Sequence, residues 1–114
     1  MKIKEKIVNH VAVLSLSGKM MGGPETTELH DKIRNLISDK ITKVVIDLGG
    51  VKWINSSGLG VLMAAMTTLK NSGGELKLAN VTEKVESLLM ITQLMRIFDT
   101  YESVDRAISV LTEN

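Results

Sequence analysis

Two adjoining stretches constrain this chain more than any other part of it. Val44-Val45-Ile46-Asp47-Leu48 is apolar at every position but Asp47, and a strand of this kind is typically covered on both faces. Trp53-Ile54-Asn55-Ser56-Ser57-Gly58-Leu59-Gly60-Val61-Leu62 follows closely and opens a helix. A buried strand that feeds a helix starts a parallel α/β unit. The turn also places two serine hydroxyls at a helix N-terminus, where free amides and the positive end of the helix dipole favour an anion. A phosphate on one of these serines would be accommodated there. No base, metal cluster or phosphate-cradling loop stands beside them in sequence, so the site reads as a switch more than as a reaction centre.

The rest of the chain extends this pattern. Lys2 to Val8 alternates, with Ile3 and Ile7 on one face and Lys2, Lys4 and Lys6 on the other, which suits a solvated sheet edge. Asn9-His10 is a two-residue turn into a second strand, Val11 to Ser17. Gly18 to Gly23 reads as a loop. Pro24 fits a helix first position and Glu25 its dipole, and Leu29, Ile33, Leu36 and Ile37 fall on one face of that helix. Lys43 to Leu48 is the buried strand. The helix after Ser57 carries Leu59, Leu62, Met63, Met66 and Leu69, and Asn71-Ser72-Gly73-Gly74 ends it. Leu76 to Ala79 is a short strand. Thr82 caps a third helix with Val85, Leu88 and Leu89. Ile97-Phe98 reads as a last strand, and Ser103 caps a helix with the stripe Val104, Ala107, Ile108 and Leu111. The order ββαβαβαβα predicts an α/β fold: a mixed, mostly parallel sheet of about four to five strands, an N-terminal hairpin and about four helices.

With 114 residues and no linker, the chain is taken as one domain, residues 1–114. A net charge of +1 gives no broad footprint for nucleic acid or anionic membrane. Absence of cysteine excludes disulfides, zinc–thiolate sites and thiol catalysis. Only His10 and His30 are available for histidine-based metal binding, so no metal is expected. Met1-Lys2-Ile3-Lys4-Glu5-Lys6 lacks a signal-peptide core, and no run suits a membrane span, so a cytoplasmic protein is expected.

Each motif has a plainer reading. Asn55, Ser56, Ser57 and Gly58 also suit a simple helix cap. Gly58-x-Gly60 lacks the third glycine of a dinucleotide fingerprint, since position 63 is Met, and no Lys-Ser/Thr pair follows for a P-loop. No cofactor is therefore expected. A nucleophile elbow would need glycines where Asn55 and Leu59 stand, although His10 and His30 remain conceivable bases in space. Met63, Met66 and Met90 suit the core. Met20 and Met21 fall in a loop at the same sheet edge as Ser57, where they could form an apolar rim with Trp53 and Leu59. Partly buried packing is the plainer role for Trp53.

These residues resemble the STAS domain, and within it the bacterial anti-sigma factor antagonists. The resemblance rests on Val44–Leu48, a short loop, then Ile54-Asn55-Ser56-Ser57-Gly58-Leu59-Gly60-Val61-Leu62, and runs from the first hairpin through Gly74 to the final helix. It implies a non-catalytic partner switch. Such a protein binds an anti-sigma factor that is also a Ser/Thr kinase, and binding frees the sigma factor. Phosphorylation of the serine before Gly-Leu-Gly, here Ser57, releases the partner, and a Ser/Thr phosphatase resets the switch. The implied contact surface is Lys19, Met20, Met21, Gly22, Asn55, Ser56, Gly58 and Leu59. Nucleic acid and membrane are not implied partners, and a monomer is the default. Asn55, Lys19 and Met21 stand where the family usually carries acids, while Asp47 is kept. The alternatives are a constitutive STAS scaffold that phosphorylation does not regulate, and a switch whose output is not a sigma factor.

Overall fold

The structure of the protein, a computed structural model, describes residues 1–113, with the side chains of Glu25 and Thr26 excepted. Strands β1 (Lys2–Val8), β2 (Val11–Met20), β3 (Lys43–Ile54), β4 (Glu75–Ala79) and β5 (Thr100–Tyr101) lie side by side in chain order. β1 and β2 are antiparallel and the other neighbours are parallel. Helices α1 (Pro24–Ser38), α2 (Ser56–Asn71) and α3 (Glu83–Ile91) make the crossovers, and α4 (Val104–Thr112) follows β5. This is the order expected from the sequence. Asn9 and His10 both take positive φ, 50° and 65°, as a tight hairpin turn between Val8 and Val11 requires.

Alternation along the strands makes two cores. Ala12, Leu14 and Leu16 of β2, Val44, Ile46 and Leu48 of β3, and Leu76 and Leu78 of β4 pack with α1, α2 and α3. The intervening Val11, Val13, Val45 and Ala79 pack against Ala107, Ile108 and Leu111 of α4. β3 is thus covered on both faces, which is why its apolar residues are consecutive. Thr82 and Ser103 cap α3 and α4 through their side chains, as their positions predicted.

Four expectations need correction. β2 runs past Ser17 to Met20 and β3 runs past Leu48 to Ile54, side by side, across two register shifts. These bulges bring Leu48, Val51 and Ile54, three residues apart, into the same core, which hides the period-two signal. Ile97-Phe98 is not a strand: Ile97 ends a 3₁₀ turn, and Phe98 is a buried plug in the core. The last strand is Thr100–Tyr101. Met90 is 62% exposed, because α3 turns Val85 and Leu89 inward instead.

Candidate functional site

The end of β2, the end of β3 and the start of α2 are fastened together by backbone contacts. Asn55 N–H donates to the Met20 carbonyl at 3.3 Å. The Asn55 side chain caps the helix by accepting from the Gly58 amide at 2.8 Å. Gly58 lies so close to β2 that a Cβ there would overlap the Met20 carbonyl oxygen. The glycine is therefore a packing requirement. Leu59 N–H closes the first helical bond to the Asn55 carbonyl at 2.9 Å. Of the first amides of α2, those of Ser56 and Ser57 have no acceptor among the described residues.

Both serines are exposed. Ser57 stands beside Gly22, whose φ is +88° and whose missing Cβ would fall 2.9 Å from the Ser57 Cβ. The glycine supplies the turn and leaves the flank of Ser57 uncovered. Lys19 and Met21 are exposed, and Gly22 and Asn55 are half-buried. Met20, Gly58 and Leu59, expected on the contact surface, are buried. The reason is that β2 continues through Met20, so alternation turns Met20 into the core and Lys19 outward. Leu59 lies on the inner side of α2. These three residues support the surface from beneath it, and the apolar rim reduces to Met21 and Trp53.

Trp53 is 43% exposed, and Lys84 Nζ stands 4.0 Å from its ring centroid, a cation–π contact. Lys84 was not legible as a site residue, because the α3 crossover brings it there from a distant stretch of chain. Below the site, the Asp47 carboxylate accepts from Gly49 N–H at 3.0 Å, Asn80 Nδ2 at 3.1 Å and Ser15 Oγ at 3.2 Å. It ties β2, β3 and the end of β4 at the first register shift.

Neither histidine is a base for Ser57. His10 Nε2 bonds the Lys40 carbonyl at 3.3 Å, and His30 Nε2 bonds Thr68 Oγ1 at 3.0 Å between α1 and α2. Among the described residues there is no pocket and no cluster of three metal-ligating side chains. No helix there is long and apolar enough to cross a membrane.

The site is thus a capped, exposed helix start held on the ends of two paired strands. Residues 2–107 match the STAS domain, and the chain belongs to that family. A candidate anti-sigma factor antagonist of Thermotoga maritima is 30% identical over 104 residues, 90% of each chain. The Mycobacterium tuberculosis anti-sigma-F factor antagonist RsfB is 31% identical over 94 residues, 81% of this chain and 76% of that one. The crystal structure of a Thermotoga maritima protein, also described as a candidate antagonist, superposes with a TM-score of 0.83 at 27% identity, over 97% of this chain and 95% of that chain.

Proposed function

We propose that this chain is a cytoplasmic anti-sigma factor antagonist that works by partner switching. Relatives at 30% and 31% identity are described as anti-sigma factor antagonists. In this reading it binds an anti-sigma factor with Ser/Thr kinase activity and so frees a sigma factor. The kinase phosphorylates Ser57, the complex dissociates, and a Ser/Thr phosphatase restores the binding form. The chain is a substrate and a binding module, and it catalyses nothing.

The observation that carries the reading is the placement of Ser57. It is exposed, it is the second residue of α2, and Gly22 leaves its flank open. Phosphoserine brings about −1.5 to −2 charges and three acceptor oxygens. At a helix N-terminus that charge is favourable by about 0.3–1 kcal/mol, so its effect falls on the partner and not on the fold. In this reading Lys19, Met21, Gly22, Asn55 and Ser56 form the contact surface together with Ser57. Met20, Gly58 and Leu59 fix its shape.

The test is affinity capture from native lysate with wild type, Ser57→Ala and Ser57→Asp as baits, followed by mass spectrometry. An anti-sigma factor with a kinase domain should be held by wild type and Ser57→Ala and lost by Ser57→Asp. A phosphopeptide containing Ser57 should appear when that partner and ATP are added. Equal capture by all three baits would establish the constitutive scaffold instead.

A further inference from the structure

α4 covers only part of its face of the sheet, where Val11, Val13, Val45 and Ala79 meet it. Farther along β2, alternation puts Ser15, Ser17 and Lys19 on that same face. The hairpin register sets Lys2 opposite Ser17, Lys4 opposite Ser15 and Lys6 opposite Val13. Opposed residues share a face, so four lysines stand on one side of the sheet, and all four are exposed. Glu5 is opposite Leu14 and faces the other way. Trp53 is paired with Lys19 across β2 and β3, with Lys84 against its ring. Asp47 is the acid of β3 on this face, and its carboxylate is occupied by Ser15, Gly49 and Asn80. Glu75 of β4, opposite Lys43, lies on the same side but two strands away from β2, so the β1–β2 part of the face is basic in a chain of net charge +1. Lysines on β1 have an ordinary role in blunting a sheet edge. That role does not explain Lys19 on an inner strand, nor a half-exposed Trp53 beside it.

We infer that this open face, anchored by Trp53 and flanked by Lys4 and Lys19, docks an acidic surface of the anti-sigma partner. The inference rests on the proposed function. Two observations choose a protein surface as the occupant. The face carries positive charge with an aromatic anchor, the composition of a binding hot spot for an acidic patch. It is also continuous with the switch: Lys19 precedes Met20, whose carbonyl holds Asn55, and Trp53 leads directly to Asn55, Ser56 and Ser57. α2 packs on the other side of the sheet, so a partner seated over Ser57 reaches this face across the sheet edge where Lys19 and Trp53 end.

The experiment measures the affinity of the captured anti-sigma factor for wild type, Lys4→Glu/Lys19→Glu, Trp53→Ala and Ser57→Asp, at 0.05 M and 0.5 M salt. Trp53→Ala should weaken binding about 30-fold. The double reversal should weaken it about 10-fold or more at low salt, and the loss should shrink at high salt. Thermal unfolding of each variant is followed in parallel, and Trp53→Phe replaces Trp53→Ala if the latter does not fold. Binding within twofold of wild type by both surface variants overturns the docking face. If Ser57→Asp still abolishes binding in that case, the switch stands without it. Failure of wild type to capture any anti-sigma factor overturns both. Binding to polyuridine RNA or phosphatidylglycerol vesicles that only the double reversal abolishes, with the protein partner unaffected, assigns the face elsewhere and also overturns the inference.

Discussion

Gly58→Ala sets helix propensity against packing. Alanine is worth about 1 kcal/mol more than glycine within a helix, so propensity alone would have the substitution stabilise α2. The local geometry opposes this. A Cβ at position 58 would overlap the Met20 carbonyl oxygen and stand 2.7 Å from its carbonyl carbon and 3.0 Å from the Met20 Cβ. The obstacle is mostly the backbone of an inner strand, so relief requires the helix start to move off β2. Overpacking of this kind costs about 1–3 kcal/mol. The same movement opens the Asn55–Met20 hydrogen bond, worth about 1 kcal/mol net. After the propensity gain is subtracted, Gly58→Ala should destabilise the protein by about 1–3 kcal/mol. Gly60→Ala is the internal control. It lies two residues along the same helix with nothing within 4 Å of its missing Cβ, so it should gain up to about 1 kcal/mol. Urea unfolding of the pair separates the effects, with midpoints moving in opposite directions. A Gly58→Ala midpoint at or above wild type, or a common shift in both variants, would refute the reasoning.

Other consequences can be checked by the same unfolding assay. Asn55→Ala should cost about 1 kcal/mol through loss of the cap, while Asn55→Asp should keep the cap and gain about 0.3–1 kcal/mol from the helix dipole. Gly22→Ala meets both a φ of +88° and the Ser57 Cβ, so it should cost about 1–2 kcal/mol and slow phosphorylation of Ser57 by the partner kinase. Burial opposes the charge on Lys77, but the 2.6 Å hydrogen bond to Asp99 and the neighbouring charges outweigh it and raise its pKa. That stabilisation is complete below the unfolded value of about 10.4 and is lost as pH rises through the higher folded value. Asp99 is 64% exposed, so Asp99→Asn should lose less than about 1 kcal/mol at neutral pH, and the difference from wild type should close in alkaline solution. Ser57→Asp should leave stability unchanged or slightly raised, and a loss above about 1 kcal/mol would place the action of phosphate on the fold.

What the sequence made legible follows from which signals are local. Element order, the Asn9-His10 turn, and the caps at Asn55, Thr82 and Ser103 depend on neighbouring residues and were readable. The ends of β2 and β3 were not, because paired bulges turn an alternating pattern into a three-residue spacing at Leu48, Val51 and Ile54. Met20 was read as a loop residue for that reason. Glycines at 18 and 50 look like breakers in a single sequence, yet Gly50 is required by Ser17 on the neighbouring strand, whose Cβ would be 2.9 Å from its own. Phe98 is apolar because it plugs the core from a non-regular segment, not because it pairs in the sheet. Of the candidate site, the helix start was legible because Asn55 to Leu59 is one contiguous run with a capping residue. Gly22 was expected there too, but its packing against Ser57, and the contact of Lys84 with Trp53, come only through the fold.

The proposed switch and the proposed docking face would be linked through charge. Changing occupancy from 99:1 to 1:99 needs about 5.5 kcal/mol of differential binding. The helix end supplies none of this, since its dipole favours the phosphate whether or not a partner is present. The difference must arise across the interface. A phosphate of −1.5 to −2 charges, about 6 Å from one carboxylate at an effective dielectric of about 20, is repelled by roughly 4–5.5 kcal/mol. If the partner surface drawn to Lys19 is acidic, as inferred above, its carboxylates would lie in that range of Ser57 wherever the contact extends over the helix start. The same charges that recruit the partner would then expel it once Ser57 is modified. A basic partner surface would instead form new ion pairs with the phosphate, and release would rest on bulk alone, against that attraction. Salt separates the two cases. Expulsion by charge weakens as the Debye length falls to about 3 Å near 1 M salt, whereas expulsion by bulk does not.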